Sequence, residues 1–154
     1  MSSYRWFRQQ VRVRYEETDQ MGVVYHANYL IWFEIGRTEL IRQIGYPYHK
    51  LEEQGILLPV VEAELKYKRP SRYDDVISIY TRVETLKGIR IGMAYEIRRE
   101  QDPAARWDEG SEPRGELLVT GSTLHTFINK DWKFVNAEKE APELWARLQG
   151  EMEL

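Results

Sequence analysis

The chain contains no cysteine. That excludes a cysteine nucleophile, a thiolate-held zinc and an iron–sulfur cluster, and it removes the disulfide framework of small secreted domains. No apolar run is long enough to span a membrane, and the opening residues MSSYRWFRQQ lack the apolar core of a signal peptide. The expectation is a soluble, cytoplasmic protein with no membrane partner. Net charge is −3 with acids and bases interleaved, so no basic arm for nucleic acid stands out. Several catalytic signatures are missing as well. Gly121-Ser122 lacks the flanks of a serine nucleophile elbow, and no phosphate-cradling glycine loop or HExxH helix occurs. His26, His49 and His125 lie far apart in sequence, so no metal site is expected.

What is present is enough for one domain. The 154 residues can bury a proper core without staples, and we read residues 1–154 as a single unit with no repeat or linker. Residues 6–16 alternate, with Phe7, Gln9, Val11, Val13 and Tyr15 on one face, which predicts a half-buried strand. A polar turn with Asp19 and Gly22 follows. A helix then runs from about Tyr29 to Ile44, with Asn28 as its N-cap. Its first half, YLIWF, is apolar nearly all round and should be enclosed. In its second half Leu40, Ile41 and Ile44 point inward. Gly45 suits the left-handed stop, reinforced by Pro47. A short helix is expected over 48–54, ended by Gly55.

Strands are expected over 57–69, 75–86, 89–99 and 116–128, joined mostly by hairpins. Ile77, Ile79, Thr81 and Val83 share one face, as do Ile91, Met93, Tyr95 and Ile97. Residues 101–115 form a long polar loop with a mobile tip. A last helix from about Pro142 presents Leu144, Trp145 and Leu148 on one side. The class is α+β: an antiparallel five-stranded sheet wrapped around a long central helix. One sheet and one helix leave edges and apolar area uncovered, so a dimer is expected, assembling into a homotetramer.

The candidate site lies where the strand's turn meets the helix. The first N–H groups of a helix are unpaired and favour negative charge. A carboxylate beside them could attack a carbonyl, or activate water against it, while those N–H groups hold the oxyanion. Asp19 fits that description, although turns are also where a purely structural Asp is common.

The run Tyr15-x-x-Thr18-Asp19-x-x-Gly22-Val23-Val24-Tyr25-His26-Ala27-Asn28-Tyr29, with Trp32-Phe33-Glu34 after it, resembles the signature of the hotdog-fold acyl-CoA thioesterases, and the 4-hydroxybenzoyl-CoA thioesterase (YbgC-type) branch in particular. Lys66-Tyr67, Arg69-Pro70 and Asp74-Asp75 are similar to the branch's later turn. The resemblance covers roughly residues 8–130. It implies a hotdog domain that hydrolyses acyl-CoA to a carboxylic acid and coenzyme A without metal or cofactor. It implies Asp19 as nucleophile or general base and the His26 backbone N–H as oxyanion donor. Gly22 and Tyr25 complete the expected catalytic group, Gly22 letting backbone approach the thioester and Tyr25 lining the acyl slot. Lys66, Arg69, Lys87 and Arg90 are candidates for the phosphates of coenzyme A. Three other readings stand beside this one. The first is specificity for an aromatic acyl-CoA such as 4-hydroxybenzoyl- or 1,4-dihydroxy-2-naphthoyl-CoA. The second is a hydroxyacyl-thioester dehydratase using His26 with Glu34. The third is a non-catalytic acyl-CoA-binding module.

Overall fold

A computed structural model describes residues 5–46 and 48–152. Strand β1 (Phe7–Arg12) leads through a 3-10 turn at Tyr15–Glu17 into helix α1 (Asn28–Gln43). Helix α2 (Tyr48–Glu53) and strands β2 (Val60–Tyr67), β3 (Val76–Lys87), β4 (Arg90–Arg99) and β5 (Glu116–Thr126) follow, then α3 (Ala137–Glu140) and α4 (Pro142–Met152). The strands form one antiparallel sheet in the order β1-β3-β4-β5-β2. β3–β4 and β4–β5 are hairpins, but β2 does not pair with β3. It lies at the opposite edge from β1, so the 68–75 connection passes β5 and β4 to reach β3.

α1 packs across β3, β1 and β4. Trp32, Phe33, Leu40 and Ile41 face the sheet and are almost wholly enclosed, as are Ile77, Ile79 and Val83 from β3 and Ile91, Met93, Tyr95 and Ile97 from β4. Two glycines allow the close approach. A side chain on Gly36 would run into Thr81 and Ile79, and one on Gly121 would meet the Phe33 ring at 2.5 Å. Phe33 in turn stacks on Tyr95, 4.1 Å between centroids at 7°. The helix ends as expected: Gly45 has φ +87°, its N–H reaches Arg42 O, and Tyr46 N–H reaches Ile41 O. The proposed stop at Pro47 lies outside the described residues. Leu144, Trp145 and Leu148 of α4 are buried together as their spacing implied.

Four expectations need correction. Tyr15 does not continue the buried face of β1; the chain leaves the sheet after Arg12, and Tyr15 is 78 % exposed in the 3-10 turn. Asn28 is the first helical residue, not a cap, and its amide donates to Glu17 O at 2.8 Å. The first half of α1 is not fully enclosed, because Leu30 and Ile31 are 42 % and 52 % exposed on the side away from the sheet. β2 starts later than expected and is exposed on both faces except at Leu65, because it is the sheet's edge and α1 lies over other strands.

The 101–115 loop folds back onto the outer face of β1 and β3. Trp107 meets Tyr80 edge-on at 5.4 Å and lies under the Arg8 guanidinium. Arg114 donates to Arg106 O and Ala105 O, closing the loop on itself, and pairs with the buried Glu100.

Candidate active site

The Asp19 turn closes on its own hydrogen bonds. Asp19 N–H donates to Val23 O and Gly22 N–H to Asp19 O, both at 2.9 Å, and Gly22 takes φ +78°. Asp19 Oδ1 accepts the Met21 N–H at 2.9 Å. Its other carboxylate oxygen has no partner among the described residues. The turn hangs from the rest of the fold at two places. Val24 N–H donates to Ser71 O on the 68–75 connection. Tyr25 N–H donates to Glu17 O at 2.9 Å, the carbonyl that also receives the Asn28 amide.

Helix α1 begins beside this turn. Asn28 N–H reaches back to Tyr25 O at 2.9 Å. That bond fixes the peptide between Tyr25 and His26 and polarises its N–H. The His26 N–H itself, one residue before the N-cap Ala27, has no acceptor among the described residues. The His26 carbonyl is held from the other side by the Tyr67 hydroxyl at 3.0 Å. The imidazole is exposed and lies against Tyr25, 4.4 Å between ring centres.

A groove of about 330 Å³ opens here. Asp19 and His26 contribute its polar part, and Met21, Val23, Val24 and Pro70 its apolar wall. Tyr29 and Tyr67 meet edge-to-face at 5.7 Å and form an aromatic wall. Burial pushes both phenols above the ordinary tyrosine range, so they stay neutral. Tyr29 hydroxyl pairs with the buried Ser71 hydroxyl at 2.7 Å. Lys68 and Arg69 stand at the rim, Arg69 also bonded to Glu116.

The sequence-predicted residues divide accordingly. Asp19, His26 and Arg69 share this groove. Gly22 shapes the turn but does not line it, and a side chain there would meet only open space. Tyr25 is 46 % exposed and reaches the site through its contact with the His26 ring. Lys66 sits on the exposed edge strand near Glu64. Lys87 and Arg90 face each other at the β3–β4 turn. From Ile97, level with Tyr67 in the sheet, Arg90 is seven positions along β4, roughly 23 Å at 3.3 Å per residue. One chain therefore does not gather the four proposed phosphate ligands. Glu34 is exposed and lies in a separate shallow depression with Thr38 and Arg42, away from His26. Arg37 does not pair with it, but sits beside the hydroxyls of Tyr48 and Tyr95. No group of metal-ligating side chains occurs among the described residues.

Sequence reading missed three contributors: Tyr67, Ser71 and Glu17. Tyr67 and Ser71 reach the site from elements some forty residues away; the Lys66-Tyr67 pair belongs to the resemblance, but nothing local gives either residue a place in the site. Glu17 reads as a surface acid in a turn, yet only 8 % of it is exposed.

Residues 13–136 match the model of the thioesterase-like superfamily. The Bacillus subtilis protein YneP, named as a candidate acyl-CoA thioesterase, is 36 % identical over 137 residues, covering 88 % of this chain and 90 % of its own. The acyl-CoA thioester hydrolase YbgC of Escherichia coli is 38 % identical over 82 residues, 53 % of this chain and 61 % of its own. Among solved structures, the DHNA-CoA thioesterase of Staphylococcus aureus superposes with a TM-score of 0.81 at 33 % identity, covering 94 % of this chain and 91 % of that one.

Proposed function

The chain belongs to the thioesterase-like superfamily, of hotdog fold, and from that membership we propose that it is an acyl-CoA thioesterase. The reaction is hydrolysis of the thioester by water to a free acid and coenzyme A. One observation carries the mechanistic reading. Asp19, with one carboxylate oxygen uncommitted, and His26, whose N–H is unpaired, line the same groove beside the start of α1. With the thioester carbonyl against that N–H, the oxyanion of the tetrahedral intermediate receives a preorganised donor and the positive end of the helix dipole. Asp19 then attacks the carbonyl carbon directly, or takes a proton from the attacking water. Thiolate leaves readily, so no strong general acid is needed.

Within this class an aromatic acyl group is favoured by the Tyr29–Tyr67 wall, whose ring faces and edges suit another ring, and by the likeness to DHNA-CoA thioesterase. The separation of Glu34 from the His26 groove weighs against the dehydratase reading. Lys68 and Arg69, lining the groove, are the candidates for coenzyme A phosphates. Lys87 and Arg90 would serve only a substrate bound to a neighbouring copy. A homodimer assembling into a homotetramer goes with this reading. The unpaired edge of β2, with Val60 and Val61 exposed, and the uncovered Leu30 and Ile31 are the surfaces it would hide. The location that goes with it is the cytoplasm, since a chain without cysteine needs no oxidising compartment.

The decisive experiment is Asp19→Asn against a panel of aliphatic and aromatic acyl-CoAs, with released thiol as readout. Turnover should fall by about 10²–10⁴-fold, while a non-hydrolysable acyl-CoA analogue binds as before. Unchanged turnover would sink the mechanism. No hydrolysis of any thioester by the wild type would favour binding alone.

A further inference from the structure

Glu17 is a buried carboxylate that the mechanism above does not use. Both of its oxygens are committed. Oε1 accepts the Arg14 backbone N–H at 2.8 Å, and Oε2 accepts the indole N–H of Trp32 at 3.0 Å. Its carbonyl accepts the Tyr25 N–H at 2.9 Å and the Asn28 side-chain amide at 2.8 Å. It does not line the groove. One residue thus binds the chain before the Asp19 turn (Arg14), the chain after it (Tyr25), the first residue of α1 (Asn28) and a fully buried side chain one turn further along α1 (Trp32). By contrast, among the described residues the Asp19 side chain is tied only to Met21 of its own turn.

The distance from the Asp19 carboxylate to the His26 N–H is therefore not set by those two residues. It is set by whatever holds the turn against the helix start. On that ground, and resting on the thioesterase reading above, we infer that Glu17 is a positioning residue of the active site. Its side chain locks the turn to Trp32 and its carbonyl locks the segment that presents the His26 N–H. It touches no substrate: it does not line the groove, and both of its oxygens are taken by donors of the scaffold.

The test is Glu17→Gln, which keeps shape but sets an NH₂ group against one of two donors. The mirror variant Trp32→Phe removes the indole N–H and keeps an aromatic core. Acyl-CoA hydrolysis should show kcat reduced by about ten- to a hundredfold in either variant, the cost of a misplacement on the ångström scale. KM should stay within about threefold, since substrate contacts are intact. The double variant should be little worse than either single one, because both break the same bond. A parallel readout needs no activity: in backbone amide NMR, the Asp19 and His26 signals should move in Glu17→Gln along with those of Arg14, Tyr25 and the Trp32 indole. Unchanged kcat, or a rise in KM alone, overturns the proposal. So do shifts confined to Glu17's own partners. If the wild type hydrolyses no thioester, the functional reading fails, and the NMR result still decides whether Glu17 couples the turn to the helix. If Glu17→Gln does not fold, Trp32→Phe carries both measurements.

Discussion

His125 should make the fold sensitive to acid in a way that can be isolated. The side chain is 1 % exposed on the inner face of β5. Its Nδ1 lies 3.1 Å from Leu58 O, a carbonyl that can only accept, so Nδ1 carries the hydrogen. Nε2 is then a lone pair facing Thr123 Oγ1 at 2.8 Å, and Thr123 must donate to it. Tyr95, 2.7 Å from the same Oγ1, donates in turn. A second proton on the ring would oppose the Thr123 donor inside the core, close to the Arg37 charge. Burial chiefly, and Arg37 in addition, lower the His125 pKa from 6.5 to about 4. The unfolded chain thus binds a proton near pH 6.5 that the folded chain refuses until about pH 4. Stability is complete above the upper value, falls through the window and levels off below the lower one. Integrating over this window gives a loss of about 2 kcal/mol between pH 7 and pH 5, and about 3 kcal/mol in full. Urea unfolding of the wild type and of His125→Gln at both pH values measures it. The substitution shifts the pH 7 stability by an offset, but its effect on the pH slope is the test, because carboxylates contribute equally to both proteins. The wild type should lose about 2 kcal/mol more than the variant on going to pH 5. Parallel losses would refute both the buried tautomer and the network built on it.

Two further perturbations probe the scaffold. Gly121→Ala places a methyl against the Phe33 ring and Glu64 O. It should cost about 1–3 kcal/mol by overpacking, seen as a lower urea midpoint at an unchanged slope. Trp107→Ala removes the ring held between Arg8 and Tyr80. It should cost about 1–2 kcal/mol and open the 101–115 loop to limited proteolysis, with acyl-CoA turnover unaffected because the loop packs on the sheet's outer face.

The fold was legible where the physics is local. The alternation of Ile91, Met93, Tyr95 and Ile97 reported a buried strand face because every second side chain meets α1. The Leu144, Trp145, Leu148 spacing reported a helix stripe for the same reason. Asp19 and the helix start were legible together because the turn and the helix N-terminus are adjacent in sequence. Reading failed where the deciding partner is remote. Tyr15 fits the strand alternation, but β1 ends where its ladder with β3 ends, at Arg12 and Val76. Leu30 and Ile31 signalled that α1 needs cover on all sides, yet the sequence does not say that this chain leaves one side open. Glu17 carries no signal of burial, since its acceptor role depends on where Trp32 lands. Lys87 and Arg90 looked like companions of Arg69 only while the strand order was unknown.

That strand order bears on how the groove comes into being. β2 supplies Tyr67, which grips the His26 carbonyl, yet its only ladder partner is β5, some fifty residues further along the chain. The hairpins β3–β4 and β4–β5 can form from neighbouring segments, but β2 has no strand to join until β5 is in place. Loop closure of that length is entropically slower than hairpin closure. The Tyr67 half of the aromatic wall thus depends on a long-range pairing, while the Tyr29 half comes with α1. As an edge strand with little buried side-chain area, β2 is also among the first pieces that thermal opening can release. The helix start and the Asp19 turn are tied to each other by bonds within residues 14–32, whereas Tyr67, which closes over them, comes from a strand held by the far end of the chain.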